Sequence, residues 1–292
     1  MTLLSETVLE ERFDFSALEQ TVASTIRLAA QNPTSLYLFF QQYIYFNGYA
    51  SSVISRLASS IAMSRYLFAD PDKLVIEEAD RGFEIAAEIM VAAADEGAYG
   101  VTHRALAQLL LKTVGDYAEL STDERNQFSK APTWLNEIVE AVMAGYQGTP
   151  GNAASLIQAI GFHAASEMLG DREYALLDRI VCHENREVGF ARYLKEQTSS
   201  VKIREHRYGP WCYVLIHGKH EGTGAEAKHF VHVLDAINML FLYRPEPEQQ
   251  ILEWVLQGFN AFVELQQRLF TEISRECLEL LQTSETTHSL PV

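Results

Sequence analysis

The chain has 292 residues, with 39 Asp and Glu against 23 Lys and Arg and a formal net charge of −16, so a nucleic-acid backbone or an anionic membrane surface would be repelled over most of it. At 48% hydrophobic and 21% charged it carries enough apolar material for one large core, and a single domain over residues 1–292 is expected. Cys182, Cys212 and Cys277 are odd in number, widely spaced and form no CxxC pair, which speaks against a disulfide framework or a zinc ribbon.

The opening MTLLSETVLEERFDFS is acidic where a secretory signal would be basic and then apolar, and no stretch reaches the length of a membrane span, so a soluble, cytoplasmic protein is expected. Residues 1–30 read as an N-terminal extension. From Ser35 to about Tyr66, Leu36, Phe39, Tyr43, Phe46, Val53, Ile54, Leu57 and Ile61 recur at helical spacing behind an Asn-Pro-Thr-Ser cap, predicting one long helix bent at Gly48. Asp70-Pro71-Asp72 breaks the pattern; residues 73–95 and 101–117 follow as helices separated by Gly97-Ala98-Tyr99-Gly100.

Residues 123–145 and 153–169 are helical in period, divided by a turn-rich segment from Gly145 to Asn152. Residues 172–197 read as a helix, Val201 to Tyr208 has some strand character, and residues 211–219 begin a helix or a short buried segment. Glu248 to about Gln282 is strongly periodic, with Ile251, Val255, Phe259, Phe262 and Leu269 on one side, and residues 283–292 read as a flexible tail. The sum is an all-α bundle of about seven to nine helices.

Three segments carry chemistry. In DEGAYGVTHRALAQLL, Glu96 and His103 are seven positions apart, close to two turns, and would share a face on a continuous helix. In IGFHAASEMLGD, Glu167 is a carboxylate in a helix that otherwise reads as buried, and needs a partner, a metal or a proton. HGKHEGTGAEAKHFVHVLD holds four of the nine histidines. Within it, Glu226 and His229 have the three-residue spacing by which one helix face offers a carboxylate and an imidazole to one metal. His217 would reach the site from before the Gly222-Thr223-Gly224 bend. Carboxylate and imidazole without thiolate suit iron or manganese better than structural zinc.

In order and type these segments resemble the haem-oxygenase-like di-iron oxidases over roughly residues 35–270. The resemblance implies a haem-oxygenase-like helical bundle in which Glu96, His103, Glu167, His217, Glu226 and His229 hold two Fe(II) per chain. It also implies O₂ as cosubstrate and oxidation of a small metabolite of the amino acid, amine or fatty acid class. The family's late motif sets its first His four residues before the acid, whereas His217 precedes Glu226 by nine. Glu221 is therefore the alternate acid and His232 the alternate imidazole. An external electron donor and a homodimer are compatible with this reading.

Blander readings stand beside it. Glu167 has His163 one turn earlier as a simple intrahelical partner. The Tyr37, Tyr43, Tyr45 and Tyr49 stripe is more often core than pocket. A thiamin-degrading relative of the same shape uses a cysteine and no metal, which makes a metal-free hydrolase or a small-ligand-binding helical protein the alternative, with Cys182 or Cys212 as nucleophile. A non-enzymatic helical interaction protein is the third reading.

Overall fold

The computed structural model describes residues 4–69, 72–74, 81–97, 102–184, 188–196, 200–203, 205–218 and 224–288. Local sequence sets the helix starts. Pro33 opens a helix because its missing N–H is one that a helix start leaves unbonded. Asn32 caps it, its side chain accepting from the amides of Thr34 at 2.8 Å and Ser35 at 3.3 Å. Ser121 and Glu124 form a reciprocal capping box, and Asn152 caps the longest buried helix.

In chain order the helices are α1 (Glu6–Glu10), α2 (Ser16–Ala29), α3 (Pro33–Asn47), α4 (Ala50–Met63), α5 (Arg81–Gly97), α6 (His103–Tyr117), α7 (Thr122–Phe128) and α8 (Thr133–Gly145). They continue with α9 (Ala153–Leu177), α10 (Gly189–Glu196), α11 (Cys212–His217), α12 (Ala225–Tyr243) and α13 (Glu248–His288). Among the described residues, nine of these have 13 residues or more and make the bundle. The only strands described are β1 (Val201–Ile203) and β2 (His206–Tyr208), an antiparallel hairpin pairing Val201 with Tyr208. The protein is all-α. No described helix is long and apolar enough to cross a membrane.

Several expected boundaries move. The long helix predicted over Ser35–Tyr66 is two helices, α3 and α4, parted at Gly48 and Tyr49. The segment 123–145 is likewise two, α7 and α8, because Pro132 cannot continue a helix and fixes a new start. Conversely, the break expected near residues 170–171 is absent. α9 runs through Gly170 and Asp171 to Leu177 and then widens into a π-helical turn, Asp178–Glu184. Residues 16–29 are no extension: Leu18, Val22 and Ile26 of α2 are buried, and α2 packs on α13, α9 and α3. α13 continues to His288, into the segment expected as a tail.

α9 is the central helix. It packs most extensively against α13, and also against α12, α2 and α4, while α5 lies between α4 and α12. Leu156, Ile157, Ile160, Phe162, Ala164 and Ala165 bury sides of α9 that solvent never reaches, each fully buried large side chain contributing about 1.5–3 kcal/mol over its exposed state. Where α9 crosses α13 the backbones touch. A Cβ on Gly161 would lie 2.0 Å from the Val255 carbonyl oxygen, and one on Gly258 would lie 1.8 Å from that of Gln158. One cluster of buried apolar side chains extends from Leu4 to Cys277. Every polar side chain held inside α9 must therefore find its partners within the bundle.

Candidate metal centre

Glu96 is the penultimate residue of α5 and His103 the first of α6, which Thr102 caps by accepting from the Ala105 amide. The two do not share one helix face, as a continuous helix would have required. They meet across the junction of two helices, His103 Nδ1 lying 3.0 Å from Glu96 Oε1. His217, the last residue of α11, brings Nε2 to 3.0 Å from His103 Nδ1 and 3.8 Å from Glu96 Oε1. Its approach depends on Gly218. A Cβ there would stand 2.5 Å from Tyr174 Cβ and 2.6 Å from the Ala175 amide nitrogen of α9, so only glycine lets the end of α11 lie this close. The His217 ring then stacks on Tyr174, centroids 4.4 Å apart and planes at 20°.

A second group lies on α9 and α12. His229 Nδ1 is 3.2 Å from Glu167 Oε2 and 3.3 Å from Glu226 Oε2. Glu226 also faces the first group, its other oxygen, Oε1, lying 3.8 Å from His217 Nε2. One carboxylate thus faces an imidazole of each group with a different oxygen. Within each triad the donor atoms all lie within 4.8 Å of one another. Two ligands about 2.1 Å from one ion stand about 3.0–3.4 Å apart at right or tetrahedral angles. The donor set, three carboxylates and three imidazoles without thiolate, is that of a hard or borderline divalent ion.

Further groups orient the imidazoles. His217 Nδ1–H donates to the Tyr213 carbonyl oxygen at 2.5 Å, leaving Nε2 to face Glu96 and Glu226. His229 Nε2–H donates to Asp95 Oδ2 at 3.2 Å, leaving Nδ1 to face Glu167 and Glu226. This is the outer arrangement by which proteins fix the tautomer of a metal-binding histidine. His163 Nδ1 lies 3.2 Å from Glu167 Oε1 and 3.2 Å from the Tyr146 hydroxyl. The intrahelical partner expected for Glu167 is therefore present, yet it occupies Oε1 and leaves Oε2 to His229.

Electrostatics follow from gathering acids where water is scarce. Burial raises the Glu96 carboxyl, but hydrogen bonds from His103 and His217 outweigh it and bring the value to about 2. Burial disfavours a charged His103, and Glu96 more than reverses that. Burial, then the neighbouring Glu167, pushes Glu226 up to about 7. His229 is opposed by burial and driven up to about 11 by Glu167 and Glu226. His163, by contrast, is pushed down to about 3 by burial and by His229. With protons alone for counter-charge, the imidazoles supply the positive charge the carboxylates need, the part a divalent ion would take over.

A cavity of about 300 Å³ adjoins the cluster. Five of the six residues line it, Glu96, His103, Glu167, Glu226 and His229, with Phe46, Ile54, Ala92, Val142 and Phe262 as apolar wall and Arg104 and Tyr49 among its residues. Tyr43, from the stripe read as core, is both buried and part of this wall.

All six sequence-predicted residues thus come together. His232 does not join them: one turn along α12 from His229, it pairs with Glu88 of α5, Nδ1 to Oε2 at 2.6 Å. Glu221 lies outside the described residues. Sequence reasoning missed Asp95 and Tyr146, and took His163 only as a partner of Glu167. Asp95 had a signal, an acid beside Glu96 at a helix end, but adjacent residues on a helix point about 100° apart, and only the placement of α12 gives Asp95 a histidine. The cysteines stand aside. Neither Cys182 nor Cys212 lines the cavity, and burial, then Asp178, pushes the Cys182 thiol up to about 12. Compared with known proteins, the chain matches no family model and no curated sequence.

Proposed function

We propose that the protein is a non-haem di-iron oxidase, of the haem-oxygenase-like class its motifs resemble, that uses O₂ to oxidise a small metabolite. The observation that carries this reading is Glu226, whose two oxygens face His217 of one carboxylate–imidazole triad and His229 of the other. Glu96, His103 and His217 would hold one ion, Glu167 and His229 the other, and Glu226 would be shared. Two ferrous ions would supply electrons for the reduction of O₂.

The chain's own residues do the rest. Asp95 and the Tyr213 carbonyl hold two imidazoles in the tautomer that presents a lone pair to the centre. The apolar wall of Phe46, Ile54, Val142 and Phe262 excludes bulk water and gives an uncharged part of a substrate a surface to lie on. A cysteine-based, metal-free hydrolase finds no support in thiols that sit outside the cavity and hold their protons.

The test is O₂ consumption by protein loaded anaerobically with Fe(II), followed on an oxygen electrode beside the same Fe(II) in buffer. Fast, protein-dependent uptake that is abolished by His229→Ala and by a ferrous chelator is expected. Uptake no faster than that of free iron would refute the proposal.

A further inference from the structure

The cavity beside the candidate centre also reaches a carboxylate that the centre does not use. Glu173, six residues beyond Glu167 on α9, is 4% exposed and lines the cavity together with Gln266 and Tyr43. Its oxygens accept from the Gln266 amide and, at 3.1 Å, from the Tyr43 hydroxyl. No Lys or Arg ion pair reaches it among the described residues, and Arg104, which also lines the cavity, is exposed and forms no ion pair there. Beside it the amide oxygen of Gln266, itself 2% exposed, is buried with no hydrogen-bond partner. Buried acceptors of this kind are costly unless a donor meets them.

The charge balance separates Glu173 from the centre. Two dications would bring four positive charges, which Glu96, Glu167, Glu226 and Asp95 balance with four negative ones. Glu173 is left over. A group that would satisfy it must carry a positive charge and several donors, since Glu173, Gln266 Oε1 and the hydroxyl oxygens nearby all accept. Tyr174, whose hydroxyl is 2.8 Å from that of Tyr213, belongs to the same wall. An alkylammonium has a single charge and three N–H donors on a compact head. A carboxylate or phosphate would add a further acceptor and a negative charge where neither is met, and an alcohol would supply one donor and no charge.

We propose that Glu173 and Gln266, with the Tyr43 hydroxyl, form a cation subsite that takes the protonated amine of the substrate and holds its carbon chain against the metal centre. The inference rests on the cavity being the substrate pocket of the proposed oxidase, and it narrows the substrate to small ammonium-bearing molecules. Burial pushes the Glu173 carboxyl up to about 8, with the Gln266 and Tyr43 hydrogen bonds opposing, as expected of an acid that lacks its counter-ion. An ammonium would restore its charge. Gln266 and Tyr43 act as positioning residues, holding the carboxylate by its two oxygens.

The experiment is calorimetric titration at pH 7 of the full-length protein, metal-free and loaded with two equivalents of Mn(II), with n-hexylamine, 1-hexanol and hexanoate. Hydrogen bonds to a charged group predict that hexylamine binds at least about tenfold tighter than the alcohol, and hexanoate weakest. Glu173→Gln, which keeps shape and removes charge, is expected to abolish the preference while Mn(II) stoichiometry is unchanged. Gln266→Met is expected to weaken amine binding several-fold. Equal binding of amine and alcohol by the wild type, no binding of either, or a preference that survives in Glu173→Gln would each overturn the subsite. Metal counts on the same samples keep the two claims apart: amine preference without metal uptake contradicts only the oxidase, and metal uptake without amine preference only the subsite.

Discussion

Glu226 is the residue that faces both groups, with Oε1 3.8 Å from His217 Nε2 and Oε2 3.3 Å from His229 Nδ1, and in the proposed centre it would be shared. Glu226→Ala is expected to lower bound iron from about two to at most one per chain, measured by elemental analysis after gel filtration. Asp95 works at one remove. Asp95→Asn leaves the ligands in place but loosens the His229 tautomer, and competition against a chelator should show affinity lower by about 10- to 100-fold at unchanged stoichiometry. Proton balance sets the pH dependence. In the metal-free protein His229 is held at about 11 and Glu226 at about 7, so at neutral pH the centre carries protons that an incoming dication must displace. Affinity therefore rises with pH, by about tenfold per unit for each proton released per ion. A chelator titration from pH 6 to 8 measures it, and a flat profile would contradict the proton-filled cluster. At this scale the ligand candidates were legible, because a carboxylate or imidazole at helical spacing in apolar surroundings stands out. Asp95 was not, since its partner lies 134 residues away.

The elements explain why spacing alone misleads. The seven-residue spacing of Glu96 and His103 would put them on one face only if the helix ran on, yet they converge because α5 ends at Gly97 and α6 starts at His103. His217 was out of register with the family spacing, and it arrives on its own short helix, whose end Gly218 allows against α9. Gly218→Ala is expected to push α11 away and cost the His217 ligand, seen as one fewer tightly held iron in a protein whose helical circular dichroism is unchanged. The central crossing tolerates less. Gly258→Ala would set a methyl 1.8 Å from the Gln158 carbonyl, forcing α9 and α13 apart at a cost of about 3 kcal/mol or more, read as a lower unfolding midpoint in urea. Gly170 shows the reverse failure of sequence reasoning. Glycine costs about 1 kcal/mol inside a helix, but the extensive burial of α9 outweighs that penalty and the helix runs on through Gly170.

Over the whole molecule, the all-α class was readable from hydrophobic period, while which helices touch depends on packing that no period encodes. The two ends show this: α2 and the long α13, expected as an extension and a tailed terminal helix, pack together against the central helix. Glu173 links the interior to global stability. Its carboxyl is raised to about 8 in the folded state, so its contribution is fully present below the unfolded value near 4.5 and is lost as pH rises through 8. Thermal midpoints of the metal-free wild type should therefore fall between pH 5 and 9 more steeply than those of Glu173→Gln. Parallel curves would mean that the acid is not protonated in the fold.

Of all these, counting iron after anaerobic Fe(II) loading bears most directly on the account. Two irons per chain in the wild type, with loss in Glu167→Ala and Glu226→Ala, is the predicted result; no iron retained by the folded wild type would contradict it.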